Sequence, residues 1–465
     1  MHRAYKKSKD PIHFVGIGGI GMSGIAEILV RLGFPVSGSD VADSATVQKL
    51  KTLGVKIYIG HKAENVGNAS VVVVSSAIST ENVEYQEATV KGISIVARAE
   101  MLAELMRLKY GIAVAGTHGK TSTTSLLATV LTHAETDPTV IVGGKVGQLG
   151  GNAKLGQGPL MVAEADESDG SFLKLSPIIN IVTNIDNDHL DYYGDMKKLR
   201  QSFLSFVNKV PYYGRNILCS DDKEVAALIP QIEKPYATYG FEPYANASKS
   251  RPHFQITNYT YSKSGCSFDL KRNGENLAQV KLKTPGPHNA LNATAALVVA
   301  LELELDLKII LEGLYSFSGV GRRFEFKGEM KSPKATIFDD YGHHPTEIAA
   351  TLKAARQYWG KGRIITAFQP HRFSRTKLCW NDFLKCFSDT DELILLDIYS
   401  AGEQPLTDID SKKLSEAIIK AGFKNVHYAG SLDATASYLK SHLKDDDLLI
   451  TLGAGTVTQL GPLLL

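Results

Sequence analysis

Short apolar runs that stop at polar or glycine-rich clusters recur along the whole chain. The run Ile12 to Ile17 predicts a strand that passes into Gly16-Ile-Gly18-Gly19-Ile-Gly21. Ile25, Ile28, Leu29 and Leu32 then repeat at helical spacing as far as Gly33, a helix stop. Pro35 to Ser39 returns as a strand ending at Asp40, and Ile57–Ile59 and Val71–Val74 end at Gly60-His61 and Ser75-Ser76. A second cycle begins with Ile112 to Ala115, a glycine-bounded turn, and a helix carrying Leu126, Leu127, Val130 and Leu131 on one face. Strands are predicted at Leu160 to Ala163 and Ile178 to Val182, each closed by an acidic cluster.

Between 250 and 283 the period changes. Phe254, Ile256, Tyr259 and Tyr261 nearly alternate, and Asn273-Gly274 separates Phe268–Lys271 from Leu277–Leu282, a hairpin signal. An alanine-rich helix opens after Thr284-Pro-Gly286-Pro, and Gly319-Val-Gly321 reads as a hinge. Strand–helix alternation then resumes with Thr336–Phe338, Ile364–Phe368, Leu393–Leu396 and Leu448–Leu452. The pattern predicts an α/β chain of three domains. Residues 1–108 form a Rossmann-like domain, 109–325 a P-loop-type domain with a small antiparallel annex, and 326–465 a second Rossmann-like domain.

Composition narrows the class. At 465 residues there is room for roughly two to four domains. With 43% hydrophobic and 22% charged residues the chain is an ordinary globular protein. Lys+Arg 51 against Asp+Glu 49 leaves +2, too balanced for a nucleic-acid or membrane-surface partner. Cys219, Cys266, Cys379 and Cys386 show neither C-x-x-C nor metal spacing and read as reduced thiols. Met1 to Asp10 is basic without the apolar core of a signal peptide, and no apolar run approaches the ~20 residues that span a bilayer, so a cytoplasmic protein is expected.

The candidate chemistry sits at the strand ends. In Gly116-Thr117-His118-Gly119-Lys120-Thr121-Ser122, backbone N–H groups and a helix N-terminus can close around phosphate. Lys120 would meet the β- and γ-phosphates and Thr121 would hold Mg²⁺. Val114 stands where the strict P-loop has glycine, so the loop is a variant. The first glycine loop recognises only a pyrophosphate; NAD, FAD and nucleotide sugars all carry one. Asp40 lies about where an acid would meet a ribose hydroxyl.

Glu164-Ala-Asp166-Glu167-Ser168-Asp169 and Asn184-Ile-Asp186-Asn-Asp188-His189 follow neighbouring strands. Singly, Glu164 reads as a solvated loop acid and His189 as a cap or core histidine. Together beside Lys120 and Thr121 they suit Mg²⁺. Asn289 and Asn292, one turn apart, can present amides together or act as caps. His343-His344 point to different sides, with no third ligand at matching spacing. Arg372 and Arg375 can grip a carboxylate or phosphate together, or pair with a surface acid such as Asp382.

Taken in order, Gly16–Gly24, Gly116–Thr121, Glu164–Asp169, Asn184 with Asp188-His189, and Asp339-Asp-Tyr-Gly-His-His-Pro345 resemble the Mur ligases of peptidoglycan synthesis over nearly the whole chain. The resemblance implies an enzyme that joins an amino acid, here L-alanine, to the lactyl carboxylate of UDP-N-acetylmuramate with ATP and Mg²⁺. It implies that Gly18, Gly19, Gly21, Asp40, His61 and Ser76 hold the UDP portion. Lys120 would steady the γ-phosphate, Thr121 and Glu164 one Mg²⁺, and His189 a second. His288, Asn289, Asn292, Arg323 and Asp340 would meet ATP, while Tyr341, His343, Arg372 and Arg375 would receive alanine and product. Several relatives carry a carbamylated lysine downstream of the histidine; this chain has Ser202 and Phe203 near that position, so no such group is assigned. Two alternatives stay open: a sister ligase attaching a preformed peptide, and an NAD-dependent oxidoreductase with an ATP module.

Overall fold

Strands that are apolar on both faces need cover on both sides, and this chain supplies it by following most parallel strands with a helix. The computed structural model describes residues 10–146, 151–241 and 252–465, so the basic stretch Met1–Lys9 lies outside the described residues. Two compact units divide it. The first holds Met1–Gln255, Lys271–Glu275 and Asn292–Leu314; the second holds Ile256–Leu270, Asn276–Leu291 and Tyr315–Leu465.

The first unit contains two sheets. One is wholly parallel: β1 (Ile12–Val15), β2 (Val36–Asp40), β3 (Lys56–Ile59), β4 (Val71–Val74) and β5 (Ser94–Ala97), in the order β3-β2-β1-β4-β5. Strand order reverses at β1, and the first glycine loop leaves from there into helix α1 (Ile20–Arg31). β1 stops two residues short of the predicted Ile17 because Gly16 turns the chain at φ 78°.

The second sheet runs β12-β11-β10-β6-β9-β7-β8, from β6 (Tyr110–Ala115), β7 (Thr139–Val146), β8 (Gly151–Lys154), β9 (Leu160–Glu164), β10 (Ile179–Val182), β11 (Arg215–Cys219) and β12 (Tyr236–Phe241). β6 pairs in parallel with β9 and β10, so the Lys120 loop emerges between the two acidic strand ends. The helix after it, α2 (Lys120–His133), buries Thr123, Thr124, Ser125 and Ala128 besides the predicted leucine face. The pattern does not foresee β7, β8, β11 and β12; β11 and β12 each carry one buried polar side chain, Asn216 and Thr238.

Helix α3 (Met196–Val207) buries Leu199, Phe203, Phe206 and Val207 along one stripe. Phe203 is fully buried, and its ring lies 5.1 Å from that of Phe172. The position reached by counting from His189 is therefore core.

The strands β13 (Phe254–Ser262), β14 (Gly265–Arg272) and β15 (Glu275–Leu282), most of whose residues count with the second unit, are successive neighbours. Both residues of the Asn273-Gly274 turn have positive φ, 52° and 93°, as a two-residue hairpin demands. A further sheet runs β16-β17-β21-β18-β19-β20, from β16 (Glu325–Glu329), β17 (Thr336–Asp340), β18 (Ile364–Phe368), β19 (Glu392–Leu396), β20 (Val426–Gly430) and β21 (Leu448–Leu452). Only β16 is antiparallel to its neighbour. Successive residues feed opposite faces: Ile364, Phe368, Leu393 and Leu395 pack in one layer, Ile365, Ala367, Ile394 and Leu396 in the other. Cys219, Cys266, Cys379 and Cys386 are buried and form no disulfide. Among the described residues no helix is long and apolar enough to cross a membrane.

Phe203→Ala should cost about 3–5 kcal/mol of stability by removing a buried ring from this aromatic cluster. A shift in the denaturant midpoint at unchanged slope measures it; a loss below ~1 kcal/mol would contradict the core assignment.

Candidate active site

The Lys120 loop is shaped by the end of β10. A Cβ on Gly116, whose φ is 132°, would lie 2.0 Å from Thr183 Oγ1 and 3.0 Å from the Asn184 carbonyl oxygen, so only glycine fits. Thr117 N–H donates to Asn184 O at 3.1 Å and His118 N–H to Asn184 Oδ1 at 2.8 Å. The Thr183 hydroxyl and Asn184 amide donate to His118 O at 2.6 and 3.0 Å, and Asp186 Oδ2 lies 2.9 Å from His118 Nε2. Gly119 caps α2 at φ 82°, and a Cβ there would approach Asn292 Oδ1 to 2.9 Å. Asn292 is thus brought against the loop. Asn289, one turn earlier, donates to Pro285 O at 2.7 Å.

Lys120 folds back over its own loop. Its ammonium donates to Gly116 O at 2.6 Å and Thr117 O at 3.2 Å, and lies 2.9 and 2.8 Å from Glu167 Oε1 and Oε2. Burial alone would lower the lysine pKa; Glu167, with Asp166 and Glu164, outweighs it and holds the group charged, above its ordinary value. Burial pushes the Glu167 carboxyl upward against the pull of Lys120. His189 Nε2 is 3.7 Å from Glu167 Oε1 and 3.6 Å from Asp188 Oδ2, on a backbone held at φ 59°. That left-handed conformation is uncommon for histidine and costs about 1–3 kcal/mol. Glu164 ends β9 and packs on β7, its Oε2 2.8 Å from where a Gly143 Cβ would stand. Three carboxylates around one ammonium leave net negative charge that a divalent cation would balance. Thr121 and Glu164 carry the oxygen donors that Mg²⁺ takes, and His189 adds a nitrogen donor beside Glu167.

The first sheet forms a second cradle. Gly18 N–H donates to Asp40 Oδ2 at 2.8 Å, so Asp40 caps the glycine loop. Gly19 caps α1, and a Gly21 Cβ would stand 3.0 Å from Cδ and Nη1 of Arg98. His61 Nδ1 lies 3.0 Å from Ser39 Oγ and 3.5 Å from the fully buried Glu84. Glu84 accepts from Ser39 at 2.5 Å and Asn65 at 2.6 Å, with His13 Nε2 3.5 Å away. Burial would raise its pKa, but the bonds from His13, Ser39 and Asn65 outweigh that and bring it down to about 2. Ser76 lines a small cavity with Ser75, Arg98, Asp169 and Ser171.

The second unit gathers the remaining residues around two arginine groups. Tyr341 lies under the guanidinium groups of Arg322 and Arg323, 4.9 and 5.3 Å from its ring centre. Burial would lower the Arg323 pKa, but Glu347 and Asp340 hold it raised. Burial pushes Asp340 up to about 6 against Arg323, while its oxygens accept from Phe324 N–H and Gly342 N–H, both at 2.7 Å. His288 is lowered to about 4 by burial and Arg323, and is neutral at pH 7. The rings of Tyr341, His343, His371 and Tyr399 follow one another at 5.3, 5.7 and 5.6 Å. Burial, Arg375 and Arg372 lower His371 to about 4, and Arg375 Nη1 lies 3.3 Å from its Nδ1. Arg372 caps a short helix at φ 69°. His344 instead caps the helix Pro345–Trp359, accepting from Thr346 N–H at 3.4 Å, so the paired histidines do part company.

Within the first unit the structure therefore brings Lys120, Glu164, His189 and Asn292 to one loop, and Gly18, Gly21, Asp40, His61 and Ser76 to the ends of the first sheet. In the second unit it gathers His288, Arg323, Asp340 and Tyr341, and the rings of His343 and His371 carry the line from Tyr341 on to Arg372 and Arg375. Sequence reasoning does not single out Glu167, Glu84 or Arg98. Glu167 has a signal, a second glutamate three residues beyond Glu164. Glu84 lies in a polar-looking helix, VEYQEATV, that gives none.

Comparison with known proteins places the chain in a family. The models of the Mur ligase family catalytic domain, the Mur ligase middle domain and the Mur ligase glutamate ligase domain match residues 11–110, 114–300 and 322–455. The chain is 51% identical to the UDP-N-acetylmuramate–L-alanine ligase of Trichlorobacter lovleyi over 97% of both chains. It is 50% identical to that of Geobacter sp. (strain M21) over 98% of this chain and 97% of the other. Among solved structures, the UDP-N-acetylmuramate–alanine ligase of Thermotoga maritima superimposes with a TM-score of 0.80 at 29% identity, covering 97% of each chain.

The Glu84 network sets a pH dependence. Its carboxyl, lowered in the folded chain, stabilises the fold fully above its ordinary 4.5, and that contribution is lost as pH falls toward 2. The loss amounts to about 3 kcal/mol at most. Unfolding curves between pH 6 and 3 should fall less steeply with acid for Glu84→Gln than for the parent; parallel slopes would refute the network.

Proposed function

The chain belongs to the Mur ligase family, and from that membership we propose that it joins L-alanine to the lactyl carboxylate of UDP-N-acetylmuramate, converting ATP to ADP and phosphate, in peptidoglycan precursor synthesis. The observation that carries this reading is identity over half the residues, across 97% of the chain, with an alanine-adding ligase. The convergence of Lys120 with Glu164, Glu167 and His189 supports it chemically. Residues 1–108 take the UDP-sugar, 109–325 take ATP and 326–465 contact the amino acid and ATP. The reaction belongs to the cytoplasm, where both nucleotides are at hand.

A carboxylate is a poor electrophile, so the lactyl group must first accept the γ-phosphoryl group as an acyl phosphate. Two anions have to meet for that transfer. Lys120, at the N-terminus of the helix that the loop opens, neutralises one of them. Thr121, Glu164 and His189 would hold Mg²⁺, which supplies further positive charge at the phosphate oxygens. Asn289, Asn292, His288, Arg323 and Asp340 bind the nucleotide. His343, with Arg372 and Arg375, holds the alanine carboxylate beside Tyr341, which aims the amine at the acyl carbon. Phosphate then leaves through a tetrahedral intermediate.

Phosphate release from ATP, measured with UDP-N-acetylmuramate and each of alanine, glycine, serine or a tripeptide, tests the reading. Turnover should be greatest with alanine; release only with the tripeptide would mark a peptide-adding ligase instead. Lys120→Ala should lower turnover by at least ~10²-fold. His189→Ala should raise the Mg²⁺ concentration for half-activity roughly 10-fold, and an unchanged titration would remove it from the metal set.

A further inference from the structure

Arg98 is the first residue after β5, at the edge of the parallel sheet where ligands bind. Its guanidinium lies against two places at once. A Cβ on Gly21, in the first turn of α1, would stand 3.0 Å from Arg98 Cδ and Nη1, so the fork rests on the first glycine loop. Its Nη2 lies 3.2 Å from Oδ2 of Asp166, in the acidic run after β9 whose Glu167 holds Lys120. Arg98 also lines a cavity of about 170 Å³ with Val74, Ser75, Ser76, Asp169 and Ser171. That volume suits part of a nucleotide sugar, not the whole. Hydroxyls and a planar cation at a strand edge suit a ligand segment bearing both hydroxyl groups and an anion. Asp166 meets the guanidinium through one oxygen at a half-exposed position, an arrangement of low strength that an incoming anion can replace.

We propose that Arg98 is the anion-binding side chain of this pocket, held by Asp166 until the UDP-sugar takes its place. The inference rests on the reading of the chain as a UDP-N-acetylmuramate ligase. Two anions of that substrate fit, the diphosphate and the lactyl carboxylate, and they can be told apart. Exchange of Arg98 from Asp166 to ligand also removes a cation from the acidic run beside Lys120, tying occupancy of the sugar pocket to the charge around the ATP loop.

Calorimetric titration of the full chain with UDP-N-acetylmuramate, UDP-N-acetylglucosamine and UDP gives the test. Arg98→Ala should bind UDP-N-acetylmuramate roughly 10- to 100-fold more weakly, with an unchanged circular dichroism spectrum as the control for folding. Equal weakening for all three ligands assigns Arg98 to the diphosphate; weakening of UDP-N-acetylmuramate alone assigns it to the lactyl carboxylate. Arg98→Lys, a point charge without the fork, should fall between. Asp166→Asn should bind UDP-N-acetylmuramate roughly 2- to 5-fold more tightly, a gain that a merely structural role would not produce. Unchanged affinity in Arg98→Ala, or no gain in Asp166→Asn, overturns the inference while leaving the ligase reading intact. Failure of the parent chain to bind UDP-N-acetylmuramate overturns both.

Discussion

A half-buried ammonium pressed between its own loop carbonyls and the buried carboxylate of Glu167 is the interaction on which the rest of the first unit depends. Removing Lys120 would leave the Glu167 carboxylate buried without its counter-charge, the costlier of the two losses because the lysine still reaches water. The pair therefore fixes what surrounds it. β6 has to lie between β9 and β10 so that the lysine loop emerges between the acidic strand ends. Gly116 has to be glycine so that the loop can lie flat on Thr183 and Asn184. Tyr193 donates to the Glu167 carbonyl at 2.5 Å and ties the acidic run to the helix that follows His189.

Parallel sheets make such a cluster possible because all their strands end on one edge. In the first unit this happens twice. β1, β2, β3 and β4 deliver Gly16–Gly21, Asp40, His61 and Ser76 to one edge, and β6, β9 and β10 deliver Lys120, Glu164 and His189 to another. Hydrogen bonds and packing, such as Asn152 donating to the Ile20 carbonyl and Lys49 pairing with Glu27 of α1, hold the material around these edges in place. The candidate chemistry sits at strand ends and stability in the elements behind them: Phe172, Phe203 and Phe206, all on helical segments, pack on one another away from those ends.

Features encoded in a few adjacent residues are legible in the sequence. Both glycine loops are, because a turn with positive φ followed by a helix start leaves a local signature. The Asn273-Gly274 hairpin is legible for the same reason, and so are four strands of the last sheet, which are continuous apolar runs. Legibility fails where the cause is tertiary. β11 opens with Arg215-Asn216 and looks too polar to be central, yet Asn216 donates its amide N–H groups to the carbonyls of Val207 and Pro235. β16 and β20 are edge strands with half-exposed patterns. Glu84 looks like a helix-surface residue, and only the arrival of His13, Ser39, His61 and Asn65 from other elements turns it into a buried anion. Glu167 is visible as a residue but not as the partner of Lys120, since their meeting depends on the pairing of β6 with β9.

One device recurs among the donors that face the two edges. Gly18 N–H is held by Asp40, Lys120 by Glu167, and Arg98 by Asp166. Each of these three groups, to which the proposed function gives a ligand's phosphate or carboxylate, already holds a carboxylate from the chain. Such pairing keeps desolvated donors satisfied, which an open site of stacked N–H groups and cations would not. It also turns binding into exchange. A ligand gains only the difference between its own contacts and those it displaces, so an isolated small anion gains little. A nucleotide that meets the loop, the lysine and the helix N-terminus together gains at every point. Selectivity for large, multiply charged substrates then follows from the internal pairs themselves, without any side chain dedicated to rejecting smaller ions.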